Sequence, residues 1–206
     1  MTPLLLALDP SLTCTGALLV SLDGRSDLVA CDTCETEAGR SYIKGESLEA
    51  QHDAGRRAVE LFVWLSDLIA VEHPGVKVVA LETPHGAQDA NAAWAMARAH
   101  TATRCALAAT LPGLRPIAVS QFEAKRWATG TAKPKDPKRD VKLGASARFG
   151  PTAWERVFAD AFLTTDRQRE AVYDAGAVAI VALRHAASRL IIEDHTHREE
   201  GTTPWT

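Results

Sequence analysis

Acidic residues stand at the ends of two apolar runs in this chain. Asp9 follows the run LLLAL, and Glu82 follows VKVVAL. A third acid, Asp174, lies in an apolar stretch, with Glu170 four residues before it on what would be the same helix face. An unpartnered buried carboxylate is costly, so such residues need a hydrogen bond or a cation. Carboxylate oxygens are the ligands that Mg²⁺ prefers, and two such ions can clamp a phosphodiester for hydrolysis.

Each acid also has a structural interpretation. Asp9 precedes Pro10 and Ser11 and could form an Asx-turn. Glu82 could pair with a surface arginine, and Asp174 could lie on the solvated side of its helix. The joint placement of the acids favours a site, because the carboxyl ends of neighbouring parallel strands meet at one edge of a sheet.

The elements that would carry these acids follow from apolar periodicity and turn signals. Five strands are predicted, over 4–8, 14–21, 28–33, 76–82 and 115–120. Helices are predicted over 48–73, 89–110, 121–129, 140–149, 152–162 and 167–190, and Ser120 with Glu123 predicts a capping box. The segment 130–139, with two prolines and several lysines, is predicted to be an exposed loop.

This order predicts an α/β fold with a five-stranded mixed sheet. Strands 1 to 3 form an antiparallel meander, strands 4 and 5 run parallel to strand 1, and helices flank the sheet. That layout is the ribonuclease H-like fold. We expect one nuclease domain over residues 1–190 and a polar C-terminal tail over 191–206.

The bulk composition is that of a globular protein, with 206 residues, 46% of them hydrophobic and 24% charged. The sequence shows neither a membrane-spanning run nor a secretory leader, so we expect a cytoplasmic protein that has no membrane partner. Cys31 and Cys34 have CxxC spacing, but no second ligand pair accompanies them. On a strand they would face opposite sides, which disfavours a metal or redox role.

Basic residues concentrate in one part of the chain. Between Arg115 and Arg148 there are nine basic and three acidic residues, although the whole chain has a net charge of −3. A local basic stretch can bind phosphates whatever the total charge is. The alternative is a solvated lysine loop.

The motifs, taken in order, resemble those of RuvC-type Holliday junction resolvases. LALDPSLTCTGALLV is similar to their first strand, VVALETP to their acidic fourth strand, and AWAMARAHTATRCALAA to the helix after it. FEAKRWATG is similar to their lysine-containing segment, and VYDAGAVAIVALRH to their final acidic helix. The resemblance covers about residues 4–185, and its specificity lies in the order of the motifs. It implies a divergent, phage-type member of the family in a bacterial or phage-infected cell.

This resemblance implies a homodimeric, Mg²⁺-dependent endonuclease that resolves four-way DNA junctions by paired nicks. It implies two metal ions per active site, with Mn²⁺ as a possible substitute, held by Asp9, Glu82 and Asp174, with Glu170 as the candidate fourth ligand. Lys125 matches the first lysine of the family's DNA-contacting pair. The other candidate DNA-binding residues are Lys133, Lys138, Arg139, Lys142 and His85, the last near the position of the family's junction-opening aromatic residue.

The sequence departs from the family pattern at three places. The family's additional acid or histidine lies three residues before the last aspartate, where this chain has Ala171. Glu170 is about 100° away around the helix, and Asp166 is a weaker substitute. Ser11 replaces the glycine after Asp-Pro.

Other functions stay open at this point. They are a ribonuclease H-like nuclease for flaps, single strands or RNA–DNA hybrids, and a junction-binding protein with a weak or inactive site. Asp-Pro-Ser-x-Thr also resembles the phosphate loop of sugar-kinase and actin-like ATPases, which usually need a second, similar lobe, and these 206 residues show neither the length nor the internal repeat for it. Trp94 and Trp127 could stack on bases or pack in a core or a dimer, and the Ala-rich second helix is the expected dimer interface.

Overall fold

The structure, a computed structural model, describes residues 2–37, 48–84 and 90–200, with side chains described in these ranges except at 48–50 and 186–200. It contains one five-stranded sheet with the order β3-β2-β1-β4-β5. The strands are β1 Leu4–Asp9, β2 Cys14–Ser21, β3 Leu28–Glu35, β4 Val76–Glu82 and β5 Ile117–Val119. The first three pair antiparallel, and β1, β4 and β5 run parallel. The predicted mixed sheet is therefore confirmed.

Six α-helices flank this sheet in the described ranges. They are α1 Leu48–Asp67, α2 Ala90–Thr110, α3 Gln121–Thr129, α4 Pro137–Phe149, α5 Pro151–Asp160 and α6 Asp166–Glu200. A π-helical turn, Leu68–Glu72, extends α1. None of the helices in the described part of the chain has the length and apolarity that crossing a membrane requires.

The alternating side chains of β1 build two cores. Leu6 and Leu8 pack with Leu65 of α1 and Leu107 of α2 on one face of the sheet. Leu5 and Ala7 contribute to the core on the other face, together with residues of α3 to α6. Burial on both faces explains why β1 reads as a continuous apolar run. Asp9 ends this run and is only partly buried.

Helix α6 crosses the sheet at very close range. A Cβ atom placed on Gly16 of β2 would lie 2.1 Å from the carbonyl oxygen of Ala171. Only a glycine allows this approach, because a side chain there would overlap the helix backbone. Gly16 is also the residue opposite Asp9 in the β1–β2 pair. The contact therefore fixes α6 beside the strand that ends in Asp9.

Helices α3 and α4 differ in how well the sequence predicted them. The capping box of α3 is confirmed, with Ser120 accepting from the backbone N–H of Glu123 and the Glu123 side chain accepting from Ser120. The predicted loop over 130–139 is too long, because α4 begins at Pro137. Asp136 caps this helix by accepting from the backbone N–H of Arg139, and proline suits a first helical turn.

Helix α6 extends past the predicted tail boundary, since its backbone stays helical to Glu200. Residues 201–206 lie outside the described ranges. The division into a domain over 1–190 and a tail over 191–206 stays a prediction.

The cysteines of the CxxC sequence are core residues. Cys31 packs in the core under α5 and donates to the carbonyl of Val157, whereas Cys34 packs on the other face beside Leu12 and Leu61. Burial, followed by the charge of nearby acids, raises the pKa of both thiols to about 12. Both are free thiols on opposite faces of the sheet, as expected for a structural role.

Candidate active site

Three of the predicted acidic residues line one cleft of about 470 Å³. Asp9 reaches it from the end of β1, Glu82 from the end of β4 and Asp174 from α6. Lys125 of α3 and Lys138 of α4 line the same cleft. The fold thus brings together side chains that are up to 165 positions apart in sequence.

Each acid is positioned by backbone structure. Glu82 pairs with Val119 in the last register position of β4 and β5, and it is only 8% exposed. The turn after Asp9 is held by hydroxyl groups, because Thr15 Oγ1 donates to the Ser11 carbonyl and accepts from the Ser11 N–H. The turn therefore does not depend on an Asx-turn at Asp9. Asp174 is one turn along α6 from Ala171, the residue against Gly16.

The electrostatics of the cleft favour a cation. Burial, and then the charges of Glu82 and Asp174, raise the pKa of Asp9 well above its usual range. Burial and the charge of Asp174 raise the pKa of Glu82 to about 7. Burial raises the pKa of Asp174 to about 6. Three carboxylates that repel one another in a partly buried cleft are stabilised by bound positive charge.

Lys125 supplies part of that positive charge. Its ammonium group lowers the pKa of all three carboxyls and opposes the larger effect of burial. It lies on the face of α3 that carries Gln121 and Ala124 into the same cleft. A lysine here can contact a substrate phosphate next to the carboxylates.

Replacing Glu82 is expected to stabilise the metal-free protein at alkaline pH. The pKa of Glu82 is about 7 in the folded chain, against 4.5 ordinarily, so folding is favoured below pH 4.5 and loses that advantage as the pH rises through 7. We expect Glu82→Gln to raise the free energy of unfolding at pH 8 by about 2 kcal/mol.

This difference should disappear below about pH 3.5, where the folded and unfolded carboxyls are both largely protonated. Urea unfolding in EDTA at several pH values measures it. Equal stability of the two proteins at pH 8 would contradict the burial of a charged Glu82.

Glu170 lies apart from the three converging acids. Its carboxylate accepts a 2.6 Å hydrogen bond from Lys138 Nζ, and it lines a neighbouring groove. Its charge still raises the pKa of Asp174, as expected for residues four apart on a helix. Glu170 would have to exchange Lys138 for a metal ion to act as a fourth ligand.

The donor set fits a hard divalent cation in chemistry, although it does not form a closed cage. Among the described residues, no three His, Cys, Asp or Glu side chains are gathered closely enough to hold an ion between them. A bound cation would offset the repulsion among the carboxylates that line this cleft. Asp9, Glu82 and Asp174 are the residues that would hold such an ion.

The remaining predicted residues are exposed or lie outside the described ranges. Lys133, Arg139 and Lys142 are exposed, and Lys142 Nζ lies 5.7 Å from the centre of the Tyr173 ring. Arg139 and Lys142 line the groove that contains Glu170. His85 lies outside the described residues.

Two further residues of the cleft were not predicted from sequence. His100 of α2 is buried against the cleft, and Gln121 of α3 lines it. Gln121 could have been found, because it lies four residues before Lys125 on the same helix face. A single histidine in an Ala-rich helix carries no comparable signal. Of the tryptophans, Trp94 is exposed, and Trp127 has Arg184 stacked 3.7 Å from its ring centre.

Neither a sequence-family model nor a curated protein sequence matches this chain. Solved structures do match. Thermus thermophilus RuvC in complex with a Holliday junction substrate gives a TM-score of 0.62 at 16% identity, over 89% of this chain and 96% of that one. The chain has the fold of the RuvC resolvases.

Two more structures agree with this RuvC-like fold. A second T. thermophilus RuvC structure gives a TM-score of 0.60 at 17% identity, covering 87% of this chain and 95% of its own. The yeast mitochondrial Holliday junction resolvase Ydc2 gives a TM-score of 0.56 at 12% identity, over 89% of this chain and 78% of that one. The family resemblance stated from sequence is therefore confirmed at the level of the fold.

Proposed function

We propose that this protein is a divalent-metal-dependent DNA endonuclease that resolves four-way junctions by paired nicks. The observation that carries the proposal is the convergence of Asp9, Glu82 and Asp174 on one cleft of a RuvC-like fold, with Lys125 beside them. Support comes from the similar fold of a RuvC bound to a Holliday junction. Branched DNA is the proposed partner of this chain.

The proposed chemistry is hydrolysis of a phosphodiester. Two Mg²⁺ ions, when bound, would activate the attacking water and stabilise the leaving oxygen. Asp9, Glu82 and Asp174 would hold the ions, and Lys125, which lines the same cleft, would hold and orient the scissile phosphate.

The proposal includes a homodimer, since resolution of a junction requires two opposed cuts. The first half of α2 is exposed, and Trp94 lines an apolar depression with Val59 and Phe62 of α1. An exposed aromatic residue in an apolar depression is typical of a protein interface. This surface supports α2 as the contact between two copies.

The experiment that tests the proposal is cleavage of a mobile synthetic junction. We expect paired nicks with Mg²⁺ or Mn²⁺ and none with EDTA. Flaps, single strands and RNA–DNA hybrids of matching sequence serve as comparison substrates. Preferential cleavage of one of these would reassign the substrate within the same nuclease class. Junction binding without cleavage under any metal condition would instead identify a binding protein with an inactive site.

A further inference from the structure

Helix α3 carries an exposed aromatic residue and an exposed arginine next to the candidate active site. Phe122 is 58% exposed, and Arg126 is exposed one turn further along the helix. Residues three and four apart share one side of a helix, so Phe122 lies beside both Lys125 and Arg126. Lys125 lines the catalytic cleft. We call these three side chains the outer face of α3, and this face begins at the cleft.

Two other sides of α3 pack against protein. The backbone of Ala128 meets Gly144 of α4, where an added Cβ would lie 1.7 Å from the Ala128 carbonyl oxygen. Trp127 lies against α6, with the guanidinium of Arg184 at 3.7 Å from its ring centre. Ala124 is buried as well. The exposed outer face lies away from these contacts, on the side that a ligand in the cleft can reach.

The turn after α3 extends the outer face with another cation. Thr129 Oγ1 accepts a 3.3 Å hydrogen bond from the Thr131 N–H, and Thr131 Oγ1 accepts one of the same length from the Lys133 N–H. Thr129 follows Lys125 by four residues and Arg126 by three, so these bonds hold the turn at the end of the outer face. Lys133 is exposed there.

The charges of this surface are complementary to DNA. The acids between positions 115 and 148 serve the helix ends, where they accept hydrogen bonds from backbone N–H groups at the starts of α3 and α4; they are Glu123, Asp136 and Asp140. Hydrogen bonds from Ser120, and then the charge of His185 on α6, lower the pKa of Glu123, which is turned toward that helix. Cations that surround an exposed aromatic ring are typical of nucleic-acid binding.

We propose that the DNA strand next to the cut runs along the outer face of α3. The inference rests on the proposed nuclease function. Arg126 and Lys133 contact phosphates of that strand, and Phe122 packs on one of its bases. Side chains three or four residues apart on a helix are about 5–6 Å apart, so the ring contacts a base about one or two nucleotides from the phosphate that Lys125 would hold.

The salt dependence of junction binding separates the phosphate contact from the ring contact. Without Mg²⁺, the slope of log affinity against log salt concentration reflects the number of phosphates that the protein neutralises. Arg126→Gln should reduce this slope by about one and weaken binding about fivefold. Phe122→Ala should weaken binding at least about fivefold with the slope unchanged, because the ring carries no charge, and Phe122→Trp should keep the affinity.

Lys77→Gln and Val71→Ala are the matched controls. Both side chains are exposed and lie near the amino end of β4, opposite the edge at which Glu82 lies, so affinity and slope should stay unchanged. Thermal unfolding of each variant is measured as well, since Arg126 is in the last turn of α3, where a cation can stabilise the helix end. A role confined to the helix would lower the Tm of Arg126→Gln and leave the slope at its wild-type value, which would contradict the phosphate contact.

A junction carrying 2-aminopurine at successive positions beside the cut locates the ring contact. At saturating protein we expect fluorescence quenching about one or two nucleotides from the cut with the wild type and Arg126→Gln, and none there with Phe122→Ala. Wild-type affinity, slope and quenching in both variants would overturn the inference, whereas junction cleavage by the wild type would leave the proposed function standing.

Two further outcomes would also overturn the inference. Loss of a dimer by Phe122→Ala in sedimentation, with quenching unchanged, would assign the outer face to a second copy of the chain. Failure of the wild type to bind branched DNA would remove the proposed function together with the inference.

Discussion

Asp9→Asn and Glu82→Gln are each expected to lower the rate of junction cleavage by about 10³-fold or more while junction binding persists. Both side chains end parallel strands in the cleft that also contains Asp174. Removing one anionic ligand weakens the hold on a metal ion and displaces the charge that stabilises the transition state. The proposed phosphate contact of Lys125 does not involve either carboxylate, so binding in EDTA should stay within a few-fold of wild type.

Single-turnover cleavage in Mg²⁺ and binding in EDTA measure the two effects separately. Glu72→Gln is the matched control, since Glu72 is an exposed carboxylate at the end of the π-helical turn, far from the cleft in the fold. It should cleave like the wild type. Full cleavage by either cleft variant would remove the metal-ligand role on which the proposed function depends.

The same Glu82→Gln change has opposite expected effects on stability and activity. In the metal-free protein the substitution removes a buried negative charge, which stabilises the fold. In the metal-bound protein it would remove one of the proposed metal ligands, which lowers the activity. A variant that is more stable and inactive is what a site built from mutually repelling carboxylates predicts. A purely structural Glu82 would give the gain in stability at pH 8 without the selective loss of cleavage.

The sheet and the converging acids could be predicted from the sequence because their signals are local. Apolar runs that end in Asp9 and Glu82 mark buried parallel strands, and the parallel arrangement then brings both acids to one edge. Asp174 is marked by its apolar neighbours on α6. Predicting these features requires only the order of the residues and the rules by which strands pair in sheets.

The surroundings of Glu170 could not be predicted in the same way. Its partner Lys138 comes from α4, which begins three residues earlier than the sequence indicated, and the pair joins residues 32 positions apart. Flexible surface cations have many possible partners, so sequence alone does not select one. The groove between α4, α5 and α6 likewise depends on tertiary packing.

Gly16→Ala is expected to destabilise the protein by about 3 kcal/mol or more. The added Cβ would lie 2.1 Å from the carbonyl oxygen and 2.3 Å from the carbonyl carbon of Ala171. Both are backbone atoms of α6, so no side-chain rotation relieves the overlap, and the helix must move away from the sheet. Asp174 is one turn further along this helix, so cleavage should fall as well, even at temperatures where the variant stays folded.

Gly55→Ala is the matched control for this prediction, because Gly55 lies in α1 with no atom within 4 Å of the added Cβ. Alanine favours helix by about 1 kcal/mol over glycine, so this variant should be more stable than the wild type and equally active. Urea unfolding and single-turnover cleavage of the two variants test the contrast in sign. Wild-type stability in Gly16→Ala would mean that α6 lies further from β2 than described, and the position of Asp174 beside Asp9 would then lose its structural basis.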